Sequence, residues 1–355
     1  MGKGDEPAPG HAYCVPAPDP AALVAWPDAF GTRFTIFVDT EEEFDWDGRF
    51  AREGHGTSHV AALPAAHARF AAQGAALTYL VDYPIVASPA AAEILRGLIA
   101  DGRTGIGTQL HSWVNPPFEE ELNAFNSYAG NLPPRLEEAK LGVLTEAIER
   151  AIGVRPRVYR AGRYGIGPHT LAMLAAHGYR IDTSMRARYD YRADGGPDFT
   201  AIPPHAFRTG PDHALVELPL TTVFTGRARR AGAGLYRRLG SVPRGRGMAS
   251  RLGLLSRVAL TPEDMPAGEA LEAIRVAVGE GVRLLNFGFH SPSIEPGHTP
   301  YVRDAADLAA FWRWWDQAFA LLDRLGVAPA SLAEILDAAC GEPATSASAG
   351  GAGGL

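Results

Sequence analysis

Short apolar runs rich in β-branched and aromatic residues alternate along this chain with longer stretches whose apolar positions recur at helical spacing. The runs RFTIFVD (33–39), ALTYLV (76–81), TGIGTQL (104–110), RVYRAG (157–162), YRIDTS (179–184), ALVELPL (214–220) and RLLNFGFH (283–290) predict strands. Helices are predicted around 59–73, 89–101, 134–152, 168–178, 267–280, 304–326 and from Ser331. The 134–152 helix opens at consecutive prolines and carries Leu141, Leu144 and Ile148 on one face. About seven strand-then-helix units, with no internal repeat, predict an α/β protein whose parallel sheet closes or nearly closes into a barrel.

One segment breaks the rhythm. Residues 226–257 carry nine arginines, and no acidic residue occurs between Leu218 and Pro262. A surface insertion is the simplest account, either a solvated basic helix or a patch for an anionic polymer, phosphate or membrane surface. Residues 1–28 and 341–355 are rich in small residues and proline, and are expected to be disordered around a single barrel domain over 29–340. The formal charge of -7 is spread too thinly to indicate nucleic-acid binding. Cys14 and Cys340 lie near opposite ends, so neither a disulfide framework nor a cysteine-based zinc site is encoded. The N-terminal stretch lacks the apolar core of a secretory signal, and no run approaches a membrane span, so a cytoplasmic enzyme is expected.

In parallel α/β folds chemistry gathers where strand C-termini meet loops. The first strand ends in Asp39 and Glu41, within the acidic run DTEEEFD; the third in Gln109 and His111, followed by Trp113; the fourth in Arg160, Arg163 and Tyr164. The fifth ends in Asp182 and Ser184, and the late strand in His290, Ser291 and Ser293. Alternation puts Asp39 and Glu41 on one side of the sheet and Thr40 on the other. Crowded carboxylates need a cation, a proton or an arginine, and Phe44 and Trp46 beside them offer ring faces of the kind that stack on sugars.

Five motifs, in order, resemble the polysaccharide deacetylases of carbohydrate esterase family 4 (the NodB-homology group), and among them the WalW-like branch. They are FVDTEEEFDW, GIGTQLHSWVNPPFEE, YRAGRYGIG, YRIDTS and NFGFHSPSIEPGHTPYV, spread over roughly residues 33–335. The resemblance implies a deformed (β/α) barrel and metal-assisted hydrolysis of N-acetyl groups on a sugar polymer or saccharide precursor. It implies Asp39 as catalytic base, Arg160 orienting that base, His290 as general acid and Asp182 tuning His290. Trp46, Trp113, Tyr164 and Ser291 are expected against the substrate.

The chain departs from the family at two places. Thr40 follows Asp39 where a second aspartate is common, and Gln109 and Trp113 stand where two histidines would align. Glu41 and His111, in phase with Asp39 and Gln109, can replace the missing ligands. The expected site for a divalent metal, zinc by preference, is therefore Glu41, His111 and water, with either Asp39 or the Gln109 carbonyl as a third protein ligand. Two other readings stay open: a small-amide hydrolase on the same scaffold, and a catalytically silent carbohydrate-binding protein.

Overall fold

The computed structural model describes residues 12–46 and 48–341. Eleven strands are formed there: β1 (Arg33–Thr40), β2 (Leu77–Val81), β3 (Gly105–Leu110), β4 (Val158–Ala161), β5 (Ile181–Asp182), β6 (Phe207–Thr209), β7 (Leu215–Glu217), β8 (Thr222–Thr225), β9 (Ser256–Ala259), β10 (Leu284–His290) and β11 (Ala328–Pro329). The main sheet runs β10-β1-β2-β3-β4-β5-β7, all parallel, with β6 antiparallel on its outer edge and β11 beside the start of β1. Seven parallel strands in a curled sheet make the deformed barrel that the strand-helix rhythm leads one to expect.

Alternation along the strands divides the apolar side chains into two cores. Phe37, Leu80, Val158, Ile181, Val216 and Leu284 face into the barrel, whose base is closed by Leu332 and Ile335 of the last helix, Leu332–Cys340. Their neighbours Ile36, Val38, Tyr79, Tyr159, Leu285 and Phe287 face outward beneath the helices, among them Pro134–Ile152 and Ala305–Arg324. Those two helices fall within a residue or two of their expected bounds, because proline opens one and Asp304 caps the other through Ala306 N and Asp307 N.

The barrel does not close by strand pairing. Between β10 and β7 the seam is filled by residues 218–221 and Leu260, which bond to β10 individually. Thr221 N donates to Asn286 O (3.1 Å), Asn286 Nδ2 to Leu218 O (2.7 Å), and Gly288 N to Leu260 O (3.2 Å). The basic insertion leaves the barrel at this seam. Its stem is the antiparallel pair β8–β9, and its head is two short helices, Gly232–Gly240 and Gly245–Arg251.

Disorder over residues 1–28 does not hold for the part of it that is described. Val15 N donates to Asp198 O (3.0 Å), Val24 N to Ala206 O (3.0 Å), and Trp26 stacks on Phe30 at 4.4 Å between centroids. The prolines that lower its apparent foldability also pre-set an extended backbone, so little entropy is lost when the segment lies along the barrel. Residues 1–11 and 342–355, the remainder of the two expected disordered ends, lie outside the described residues.

Gly107, in the middle of β3, is the tightest point of the inner core. A methyl group there would meet the side chains of Leu80 and Val158 and come within 2.8 Å of Val158 O. Gly107→Ala should cost about 1–3 kcal/mol through overpacking. Urea unfolding of the two proteins checks this, and unchanged stability would show that the inner core yields at β3.

Candidate functional site

Above the inner core the inward positions turn from apolar to ionisable. Following Phe37 come Asp39 and Glu41; following Gly107 come Gln109 and His111; following Val158 comes Arg160; following Gly288 comes His290. All six line one cavity of about 450 Å³ at the C-terminal ends of the strands. Register brings β1 and β10 level there, with Asp39 beside His290.

Asp39 is held from two sides. Arg160 Nη1 donates to its Oδ1 at 2.6 Å, and His290 Nε2 stands 3.8 Å from its Oδ2. Arg160 is itself fixed, giving Nε to Thr183 O (3.0 Å) and Nη2 to Thr183 Oγ1 (3.2 Å). The arrangement leaves the Asp39 carboxylate buried with its charge matched, which a buried carboxylate requires.

The carboxylate on the far side of His290 is Glu263. Its Oε2 lies 2.6 Å from His290 Nδ1, and its Oε1 accepts from His290 N and Ser293 Oγ. Burial disfavours the imidazolium, but Glu263, Glu41 and Asp39 together outweigh it and push the His290 pKa up to about 10. Asp182, expected in that role, points the other way. Ile181 belongs to the inner core, so its neighbour Asp182 lies on the outer face. There it stands opposite Glu217 of β7, and burial raises both carboxyls, the like charge of Asp182 adding to the rise at Glu217.

Glu41 and His111 meet on the opposite wall of the cavity. Glu41 Oε2 is 3.5 Å from His111 Nε2, and Gln109 Nε2 stands between them, 3.0 Å from Glu41 Oε2 and 3.2 Å from His111 Nε2. Glu41 Oε1 and Gln109 Oε1 are buried with no hydrogen-bond partner among the described residues. Burial drives the Glu41 pKa up to about 8; His290 and His111 oppose the rise, while Asp39 and Glu42 add to it. Its anion is thus short of positive charge.

Behind His111 lies a layer that the strand ends do not announce. Glu42 Oε2 is 2.8 Å from His111 Nδ1, its Oε1 accepts from Trp113 Nε1 (2.8 Å), and its backbone N donates to Asp82 Oδ2 (2.8 Å). Asp82 also caps the short helix Tyr83–Ala87 through Ile85 N. Ligand atoms of Glu42, Asp82 and His111 lie within 4.8 Å of one another, so this buried triad could hold a cation. Glu43 accepts from His59 N (2.7 Å), and the His59 Nε2 lies 2.7 Å from Ser291 Oγ. Glu42 and Glu43, neither of them among the expected site residues, therefore organise the site.

The residues expected against substrate divide. Trp46 and Tyr164 line the cavity, Trp46 edge-on to His290 at 5.1 Å. Trp113 reaches the cavity wall but is spent as a support, stacked on His111 at 4.2 Å and bonded to Glu42. Ser291 is fully buried and does not face the cavity, its hydroxyl engaged by His59 and by Glu41 N. Arg186, Tyr189 and Tyr191 also line the wall; they follow the fourth motif closely, but in no periodic pattern that would single them out.

No protein-family model matches the chain, and no curated protein matches it. Solved structures do. A protein from Mycobacterium smegmatis assigned as a polysaccharide deacetylase matches with a TM-score of 0.52 at 20% identity, over 92% of this chain and 98% of that one. The Xyl-CE4 domain of a multidomain xylanase from the hindgut metagenome of Trinervitermes trinervoides matches at 0.42 and 8% identity, over 89% and 95% of the two chains. Peptidoglycan deacetylase PdaC from Bacillus subtilis matches at 0.38 and 12%, over 87% and 91%. At such identities the likeness is one of fold, and the chain has the fold of the Mycobacterium smegmatis protein over nearly its whole length.

Proposed function

We propose that the chain is a metal-assisted deacetylase of the NodB-homology type, removing N-acetyl groups from a sugar polymer or saccharide precursor. The observation that carries this reading is the pairing of Asp39, clamped by Arg160, with the adjacent His290, whose pKa is pushed up to about 10, in one cavity. Amide hydrolysis needs just such a pair, a base for water and an acid for the departing amine.

The donor set fits a divalent cation. Two ligands on one tetrahedral zinc at about 2.0–2.1 Å each lie roughly 3.4 Å apart, and Glu41 Oε2 and His111 Nε2 are separated by 3.5 Å. Glu42 on His111 Nδ1 directs the other ring nitrogen toward the cavity, the carboxylate-histidine arrangement common behind metal ligands. We therefore assign Glu41, His111 and, after rotation of its carboxamide, Gln109 Oε1 as the ligands, ahead of the triad on the Nδ1 side, whose carboxylates are already bonded. A bound divalent ion would polarise the acetamide carbonyl and lower the pKa of water.

The chain's own residues supply the rest. Asp39 Oδ2, turned toward the cavity, takes the proton from the attacking water while Arg160 keeps Oδ1 fixed. His290 Nε2 delivers a proton to the sugar nitrogen as the carbon–nitrogen bond breaks, and Glu263 stabilises the imidazolium until then. Trp46 and Tyr164 offer ring faces to the sugar. The products are acetate and a free amino sugar.

Acetate release from N-acetylated glycans, followed with metal-loaded and chelated protein, tests the reading. Asp39→Asn should lower turnover by about 10²–10⁴-fold; release by neither form of the native chain from any such glycan would overturn it. The proton donor has its own signature. With a pKa of about 10 His290 stays charged throughout the neutral range, so the stabilisation it gains from its partners is complete below the ordinary value near 6.5 and is lost as pH rises through 10. Glu263→Gln should move the basic limb of the pH–rate profile down from about 10, with the loss of rate greatest at the alkaline end. An unshifted limb would separate Glu263 from proton donation.

A further inference from the structure

The basic insertion is left unused by the chemistry above, and its surface is unusual in two respects at once. Eight of its nine arginines are exposed, at 227, 229, 230, 237, 238, 244, 246 and 251. Among the described residues none of the nine has a carboxylate within salt-bridge distance, and the segment has no acid of its own. Uncompensated cations at this density call for an anionic partner supplied from outside.

The same head exposes large apolar side chains. Leu252 is 68% exposed, Met248 55%, Val242 51% and Leu254 40%, and these are the four most exposed large apolar residues outside the Phe118 and Phe125 loop. They sit on the second helix and its flanking turns, next to Arg244, Arg246 and Arg251. A soluble polyanion gives arginine a partner but leaves these side chains in water. A bilayer interface with anionic headgroups satisfies both, since the guanidinium groups meet phosphates while the apolar groups enter the acyl boundary. Among the described residues no helix is long and apolar enough to cross a membrane, so the contact proposed is with one face of the bilayer.

We propose that the insertion, 226–257, docks the protein on an anionic lipid surface through its arginines and through Val242, Met248, Leu252 and Leu254. The stem fixes where the rest of the molecule then lies. Arg257 of β9 stacks on Tyr189 at 3.5 Å and donates Nη1 to Arg188 O at 2.9 Å, while Arg186 lies over the same ring at 3.7 Å. Tyr189 and Arg186 both line the cavity, so the stem of the docking head is rooted in the cavity wall.

Sedimentation with vesicles tests this using the full chain. Vesicles containing about 30% phosphatidylglycerol in phosphatidylcholine should take up the protein and pure phosphatidylcholine should not, with uptake falling as salt is raised. Met248→Gln with Leu252→Gln, neutral changes at exposed positions, should weaken uptake at least about tenfold by removing the apolar contribution. Arg237→Gln with Arg238→Gln should also weaken it, and circular dichroism checks that each variant is folded. Absence of preference for anionic vesicles overturns the proposal. So does uptake insensitive to the Met248 and Leu252 changes with equally tight heparin binding, which would mark the patch as a polyanion site.

Discussion

Each side chain on a parallel strand is committed to one of two faces, and in a small barrel that choice decides whether it meets the interior or the helices. The whole site depends on this constraint. The inward row of β1 reads Phe37, Asp39, Glu41, so one strand supplies core packing at its base and a charged group at its rim, with no change of direction. Three further strands, β3, β4 and β10, do the same at the same height. Charge is concentrated only where the rows run out of neighbours to pack against.

That concentration has to be compensated, and compensation explains most of the remaining geometry. Asp39 is matched by Arg160, His290 by Glu263, and His111 by Glu42. Each pair in turn is pinned by backbone or by a third side chain: Thr183 for Arg160, Ser293 for Glu263, Trp113 for Glu42. Buried ions held this way exchange solvation for fixed partners, which is what a site must do if its charges are to remain in place when water is excluded. Glu41 is the exception, with one oxygen unpartnered and only a carboxamide on the other.

Alternation and strand ends were legible in the sequence, and so were the positions of Asp39, Glu41, Gln109, His111, Arg160 and His290 around one cavity. Asp182 was placed from a motif and not from its phase; counting from Ile181 would have turned it outward. Glu263 left no such signal. It follows β9 in an irregular stretch at the barrel seam, and only the non-strand closure of β10 onto Leu260 brings it to His290. Glu42 and Ser291 lie one residue beyond the regular strand phase or in the turn after it, where period-two reasoning no longer fixes direction. The insertion was visible as an interruption and a charge run, but its stem could not be read, because Thr222–Thr225 and Ser256–Ala259 pair across an intervening head, residues 226–255.

Gln109 decides what an entering ion would have to undo. Its amide nitrogen bonds Glu41 and approaches His111, so the two outer members of the proposed ligand set are bridged by the third. On that ligand set an ion would have to break the Gln109–Glu41 hydrogen bond and turn the carboxamide, and the side chain that bridges the pair would then become one of the ion's own partners.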